Sequence, residues 1–297
     1  KNTVERDAFG QSIVAHDGVV AVMSPGMHHQ SGAVFMYSEQ TPKGQLLVGP
    51  PDALGAILGE KKECIDGKIG PFSCDEVELL AYLPNSILRA PENARGVRTN
   101  DNWGWTDPET KREYALVGRN DGTSFIDITN PSMPVLIGDL PKPWGTPPSQ
   151  LWRDIKTYKD HAFIVADGAG DHGMQVFDLA RLREVTDIPA LFEPDLHYTD
   201  IASSHNIIIN EVTGYAYTVD GPTCGGGLYM MDIADPLNPI FKGCSKGGEN
   251  GTHDAQCVTY NGPDQRYTGN ELCLNSNGAY FEIMDVTDKA NPQTIST

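Results

Sequence analysis

The chain has 297 residues, of which 39% are hydrophobic and 21% charged. This composition is typical neither of a disordered protein nor of a membrane-spanning one. Lys and Arg total 22 against 40 Asp and Glu, giving a net charge of −18. That balance argues against a nucleic-acid partner, because phosphate binding needs a basic surface. The 31 Gly and 21 Pro predict many short elements joined by turns.

The first predicted unit has three strands, at residues 9–15, 19–23 and 32–37. Its sequence Phe9-Gly10-Gln11-Ser12, with Gly32 to Phe35 further on, resembles an FG-GAP repeat, the blade type of integrin propellers. The unit lacks the acidic calcium loop of that repeat, so no calcium site is carried over to it.

Residues 58–95 interrupt the pattern. Cys64 and Cys74 enclose a Gly-rich loop, and residues 75–83 predict one short helix. The segment is too short for a separate domain. We therefore expect residues 1–297 to form a single domain that carries an insertion at about 58–95, between its first and second blades.

The rest of the chain repeats. One hydrophobic motif with a central Asp occurs four times, and its copies are 51, 54 and 53 residues apart. Three copies continue into an Asn-Pro turn. We expect each Asp to accept backbone N–H bonds in its turn; a calcium site within a blade is the alternative, although no EF-hand spacing is present. The four Asp residues are Asp127, Asp178, Asp232 and Asp285.

Each repeat predicts four short antiparallel strands, which we call A to D in chain order. Strand A is predicted at 151–156, 204–209 and 254–259, strand C carries the Asp motif, and strand D follows the turn. Four strands with a period near 50 are typical of a β-propeller blade. The sequence thus predicts an all-β propeller with about five blades. Either five blades close the ring, with residues 1–7 beside the last one, or further blades lie outside this sequence.

The six cysteines predict disulfides and an oxidising compartment, since the count is even and no CxxC is present. Six free thiols in a cytosolic protein are the alternative. The most local of the 15 pairings is favoured, because two of the cysteines fall on neighbouring strands of one hairpin. The predicted bridges are Cys64–Cys74, Cys224–Cys244 and Cys257–Cys273.

Several stretches carry a family likeness: residues 70–74 (GPFSC), 103–107 (WGWTD), 118–123 (GRNDGT), 152–156 (WRDIK), 172–178 (HGMQVFD), 204–207 (SHNI) and 252–257 (THDAQC). The blades resemble LVIVD repeats. Residues 60–297 resemble the bacterial surface and secreted proteins of the choice-of-anchor B family. The resemblance implies a propeller on an exported protein, secreted or at the cell surface, and implies no established reaction.

Polar residues concentrate on one predicted face. Strand A of a propeller lines the central channel, and the loop entering A opens on the same face as the loop between B and C. Six of the eight histidines map to that face, and several carboxylates follow them. The residues are His28, His29, His172, His197, His205 and His253, with Asp121, Asp167, Asp171 and Asp220.

Equivalent positions on successive blades converge on the axis, so this face predicts a site. Imidazoles and carboxylates together suit a divalent metal, either calcium or a transition metal, or acid–base groups around a substrate. The plainer alternative is a set of polar residues that plug the channel and bond across it. The candidate metal ligands are His205, His253, Asp154 and Asp254, and the candidate ligand-binding residues are Arg119, Trp152, Arg153 and Asn206.

Two functions remain open. The first is an extracellular module for binding, adhesion or assembly, whose partner is a surface glycan, a matrix component, a protein or a second copy. The second is a metal-dependent oxidase or hydrolase at the channel mouth. The sequence contains no Gly-x-Ser-x-Gly, Walker or His-Glu-x-x-His motif, so no catalytic residue is assigned and no nucleotide or organic cofactor is expected. Fold alone does not choose between the two.

Overall fold

The structure is a computed structural model that describes residues 12–16, 19–23, 34–37, 45–48, 55–88, 98–147, 152–247 and 251–297. The chain divides into two compact units. The first comprises Lys1–Arg98 and Asn130–Pro134, and the second comprises Thr99–Thr129 and Val135–Thr297. No helix among the described residues is long and apolar enough to cross a membrane.

The first unit contains one four-stranded antiparallel sheet, which we call blade one. Its strands pair in chain order, and the three strands predicted here are all present. Residues 1–7, which we predicted to lie beside the last blade, fall outside the described residues. The strands are β1 (Ser12–His16), β2 (Val19–Met23), β3 (Val34–Tyr37) and β4 (Gln45–Val48).

The predicted helix at 75–83 is wrong. Leu79 and Tyr82 instead form isolated β-bridges with Lys62 and Ile57. The Cys64–Cys74 bridge and Pro84 leave only nine residues between them, too few for a helix that packing does not support. The Cys64–Cys74 loop holds a small hairpin, β5 (Lys68–Ile69) and β6 (Phe72–Ser73), and a 3-10 helix follows at Asn85–Ile87.

The second unit is built from four consecutive antiparallel sheets, blades two to five. In blade two the four strands pair in chain order, and a short strand from the next blade, β14, adds to the outer edge in parallel. The strands of blade two are β7 (Thr99–Thr106), β8 (Glu113–Arg119), β9 (Gly122–Asp127) and β10 (Val135–Pro141).

Blade three departs from the repeat between its third and fourth strands. This blade lacks the Asn-Pro turn, and a longer segment leaves the sheet, covers the outer edge of blade two and returns. Phe192 of this segment packs against Phe125 and Phe177. The elements are β11 (Arg153–Tyr158), β12 (His161–Ala166), β13 (Met174–Asp178), a 3-10 helix (Leu179–Glu184), β14 (Ala190–Leu191) and β15 (Leu196–Tyr198).

Blades four and five follow the predicted pattern. Blade four has β16 (Asn206–Asn210), β17 (Tyr215–Val219), a 3-10 helix (Thr223–Gly226), β18 (Tyr229–Asp232) and β19 (Ile240–Cys244). Blade five has β20 (Thr252–Thr259), a 3-10 helix (Gln265–Tyr267), β21 (Glu271–Asn277), β22 (Phe281–Asp285) and β23 (Gln293–Ser296). The last strand of each of these two sheets is its outer edge.

The sheets are arranged as propeller blades. The first strands β7, β11, β16 and β20 lie side by side, each in contact with the next. A hydrophobic core fills the space between each adjacent pair among blades two to five. In the first of these cores the rings of Phe125 and Phe177 stack at 4.6 Å. The predicted all-β propeller of four-stranded antiparallel blades is thereby confirmed.

The recurrent Asp has the structural role predicted for it in all four copies. One carboxylate oxygen accepts the backbone N–H two residues further on, which fixes the turn after strand C. The pairs are Asp127–Thr129 at 2.9 Å, Asp178–Ala180 at 2.9 Å, Asp232–Ala234 at 3.0 Å and Asp285–Thr287 at 2.9 Å.

All three predicted disulfides are present, and no cysteine is free. Cys64–Cys74 and Cys224–Cys244 have Cα separations of 5.9 and 5.5 Å, within the expected range. Cys257 and Cys273 are directly opposite on β20 and β21, and their Cα atoms are 4.0 Å apart, slightly closer than usual. This bridge therefore links the two innermost strands of blade five.

Candidate functional site

A cavity of about 580 Å³ lies where the innermost strands of blades two to five begin. We call it the mouth cavity. Two of its walls come from the loops between strands B and C of blades three and four, and the others from the start of each inner strand. Its lining residues are Asn100, Asp101, Trp152, Arg153, Asp167, His205, Asn206, Asp220 and His253.

The two candidate histidines converge, as predicted. The ring centroids of His205 and His253 are 4.5 Å apart. His205 Nδ1 lies 3.2 Å from Asp167 Oδ2, so the carboxylate fixes the ring and leaves Nε2 without that constraint. Trp152 stands edge-on to His205 at 5.8 Å, and 41% of its surface is exposed. This group forms an aromatic and polar wall of the mouth cavity.

Side chains at the start of the inner strands also tie each strand to the next. The pattern uses one Asp or Asn per blade, which bonds the backbone of the following inner strand. Asp101 Oδ2 accepts Ile155 N–H at 3.1 Å, Asp154 Oδ2 accepts Ile207 N–H at 2.7 Å, and Asn206 Nδ2 donates to the His253 carbonyl at 2.9 Å. Asn206 therefore has a structural bond as well as a place in the cavity wall.

Asp154 and Asp254 do not join the two histidines. Both line a second cavity of about 470 Å³ further along the inner strands, together with Trp103 and Lys156. Asp154 also bonds Lys156. Burial raises the pKa of Asp154 to about 6, although Lys156 acts in the opposite direction. Among the described residues no three or more His, Cys, Asp or Glu side chains are grouped to hold a metal ion. The predicted four-ligand set is therefore not assembled, and metal binding stays a prediction.

Arg119 and Arg153 lie in the structure between blades two and three. Arg119 is fully buried, pairs with Asp121 and Asp139, and does not line the mouth cavity. Its guanidinium is used inside blade two, because the turn between β8 and β9 supplies Asp121 and β10 supplies Asp139. Arg153 is also buried, but it borders the mouth cavity.

The remaining histidines fall into three groups. His28 and His29 lie outside the described residues. His172 is in the predicted loop between strands B and C but is fully buried, and burial together with Arg153 lowers its pKa to about 3. The prediction for His197 is wrong: it lies on the outer strand β15, where Nε2 bonds the His172 carbonyl at 2.7 Å. The observed position of His197 differs from the predicted one because the extra segment of blade three shifts strand D towards the C-terminus.

Asn100 and Asp101 are cavity residues that the sequence analysis did not select. No strand A was assigned to blade two, because its N-terminal boundary adjoins the insertion. The signal was nevertheless present, since Asp101 precedes Asp154 by 53 residues, which is the spacing of the blades. Asp220, by contrast, was placed correctly in a loop between strands B and C.

A family model described as the LVIVD repeat matches residues 111–140 and 205–245, which correspond to most of blade two and to blade four. The matches cover less than half of the chain, so the choice-of-anchor B likeness remains a resemblance. No curated protein matches the chain. Among solved structures it is similar to a quinoprotein alcohol dehydrogenase-like protein from Bacteroides thetaiotaomicron, at 11% identity and a TM-score of 0.33 over 99% of this chain and 67% of that one. We draw no argument from that likeness, since it is low.

Proposed function

We propose that this protein is an extracellular or cell-surface β-propeller module that binds a surface glycan in the mouth cavity. The observation that carries the proposal is the composition of that cavity: an exposed Trp152 ring stands beside imidazole, amide and carboxylate groups. A tryptophan face packs against the C–H face of a sugar. Carboxylates accept hydrogen bonds from its hydroxyl groups, and amides both accept and donate them.

The predicted compartment is supported by the cysteines. All six are paired in three disulfides, which persist in oxidising surroundings. The net charge of −18 is compatible with a protein that stays dispersed outside the cell. Secretion or surface display is thus part of the proposal.

Glycan-array screening of the whole chain tests the proposal, followed by calorimetry with the best glycan. Trp152→Ala should weaken binding by roughly 30-fold, since loss of an aromatic anchor costs about 2 kcal/mol. Trp144→Ala is the matched control, because Trp144 is fully exposed and does not line the cavity. If Trp152→Ala bound the glycan as tightly as the wild type does, the glycan site would not be in the mouth cavity. If no glycan bound and the chain instead captured a protein or associated with itself, the partner would be a protein or a second copy of the chain.

A metal-dependent enzyme is the second candidate, and one contact favours it. Metal-bound imidazoles usually donate their other N–H to a carboxylate, and His205 has such a partner in Asp167. His253 is close enough to supply a second nitrogen. Titration with Zn²⁺ or Cu²⁺ should then show one site per chain that His253→Ala abolishes. A protein that binds neither ion would exclude this candidate.

A further inference from the structure

One buried guanidinium forms no ion pair with any residue that the structure describes. Arg153 is the first residue of β11 and is 1% exposed, between blades two and three. Its Nε donates to the Arg119 carbonyl at 2.8 Å, and Nη1 lies 3.0 Å from His172 Nε2. Its Nη2 is buried and has no hydrogen-bond partner among the described residues. Gly118 makes the approach possible, because a Cβ there would lie 3.3 Å from Arg153 Cβ.

Both partners of Arg153 are neutral. His172 Nδ1 lies 3.0 Å from the Gly173 carbonyl, an arrangement of a neutral ring that donates at Nδ1 and accepts at Nε2. In the part of the chain that the structure describes, no carboxylate forms an ion pair with Arg153. Asp121 and Asp139 pair with Arg119, and they attract the Arg153 guanidinium without bonding to it. The guanidinium is therefore buried, close to the guanidinium of Arg119, and without an ion pair to any described residue.

Such a group is rare because burying an unpaired charge is costly. An unsatisfied buried donor indicates an ion or a water molecule that completes it. A water molecule satisfies the donor alone, whereas an anion also adds negative charge beside the two neighbouring guanidinium groups of Arg119 and Arg153. Lys142 lies close enough to Arg153 for their positive charges to repel, and this repulsion adds to burial in lowering the pKa of Lys142.

We propose that a small monovalent anion binds between blades two and three at Arg153 Nη2. Arg153 also borders the mouth cavity, so the site lies next to space that solvent can enter. The anion would hold the first strand of blade three against Arg119 of blade two. This site is independent of the glycan proposal, because it is buried and needs no exposed aromatic residue.

The test uses chloride as the probe and the full chain. Denaturant unfolding is followed at constant ionic strength while sodium chloride replaces sodium gluconate, whose anion is too large for a buried site. Binding to the native state alone should raise stability with chloride, by about 1.4 kcal/mol per tenfold increase above the dissociation constant. Arg153→Met should lose this dependence. Arg266→Gln, which removes an arginine that is 77% exposed, should keep it.

Arg153→Met removes a large buried group and can fail to fold, so a second measurement uses the wild type. Crystals soaked in bromide should give an anomalous peak within hydrogen-bond distance of Arg153 Nη2. A water molecule there with no anomalous signal would overturn the proposal. So would a stability that depends on ionic strength but not on which anion is present. Neither result would bear on glycan binding.

Discussion

The contact between blades four and five contains a buried carboxylate whose removal should destabilise the protein strongly. Glu271, the first residue of β21, has a side chain that is 5% exposed. Its Oε1 accepts bonds from Asn210 at 2.7 Å, Thr213 at 2.8 Å and Tyr217 at 2.6 Å, all from blade four. Its Oε2 accepts from Lys289, which is 7% exposed, at 2.9 Å. One carboxylate thus satisfies four donors.

Glu271→Gln keeps the size of the side chain but removes its charge and turns one acceptor into a donor. Lys289 is then buried without a counter-ion. Breaking a buried pair from one side costs about 3–5 kcal/mol, and we expect a loss of that size. The double variant Glu271→Gln with Lys289→Met removes both charges, so it should lose less than the sum of the two single variants.

Urea unfolding followed by both tryptophan fluorescence and circular dichroism measures these losses. Coincident transitions from the two probes establish that one free energy of unfolding describes the chain. Arg266→Gln is the control, because it breaks an exposed ion pair with Asp264 and should leave the midpoint unchanged. A loss below about 1 kcal/mol for Glu271→Gln, or strict additivity in the double variant, would refute the reasoning.

Two further changes test the packing of blades two and three. A Cβ at Gly138 would lie 2.2 Å from the Phe192 ring, so Gly138→Ala should cost about 1–3 kcal/mol in thermal unfolding, while Gly104→Ala, with no atom within 4 Å, should cost far less. Asp107 is fully buried and bonded by Arg183, which holds its pKa below the ordinary value of 3.8. A depressed pKa stabilises the fold above about pH 4 and ceases to do so in acid. The stability difference between wild type and Asp107→Asn should therefore shrink as the pH falls below about 4; a constant difference would contradict this.

Much of the fold followed from one short motif. The Asp of strand C recurs because each blade has the same turn at the same place. A turn that depends on a side-chain hydrogen bond requires a particular residue type, which can be recognised in the sequence. Cys257 and Cys273 were paired correctly for a related reason, since hairpin neighbours are local in sequence. Strand boundaries differed by only a few residues, as for β16, predicted from 204 and observed from Asn206.

Contacts between blades were harder to predict. The segment that carries Phe192 covers blade two, and nothing in the local pattern of Ala190 and Leu191 specifies a parallel pairing with β10. Arg119 was assigned to the channel mouth, but its position relative to Asp139 depends on strand pairing twenty residues away. The convergence of His205 and His253 was predicted correctly, because blade symmetry alone determines it.

Asp154 shows how a residue at a symmetric position can have a structural role. Its Oδ2 accepts the backbone N–H of Ile207 from the next blade, and its Oδ1 accepts from Ile155 and Lys156. Both oxygens are therefore occupied by the protein. Because the side chain is buried, its pKa rises to about 6, even though these donors act to lower it. A metal ion would have to displace Ile207 or Lys156 to reach this carboxylate.

The raised pKa sets the sign of a pH effect. An acid whose pKa is higher in the folded state than its ordinary value of 3.8 contributes stability below about pH 4 and loses it as the pH rises through about 6. The stability of the wild type relative to Asp154→Asn should fall over that window, by about 3 kcal/mol, because the pKa rises from 3.8 to about 6 on folding. Urea unfolding of both proteins from about pH 4 to about pH 7 measures it. A difference that rises with pH would mean that the hydrogen bonds outweigh burial, and a shift caused by added Zn²⁺ or Ca²⁺ would restore Asp154 as a metal ligand.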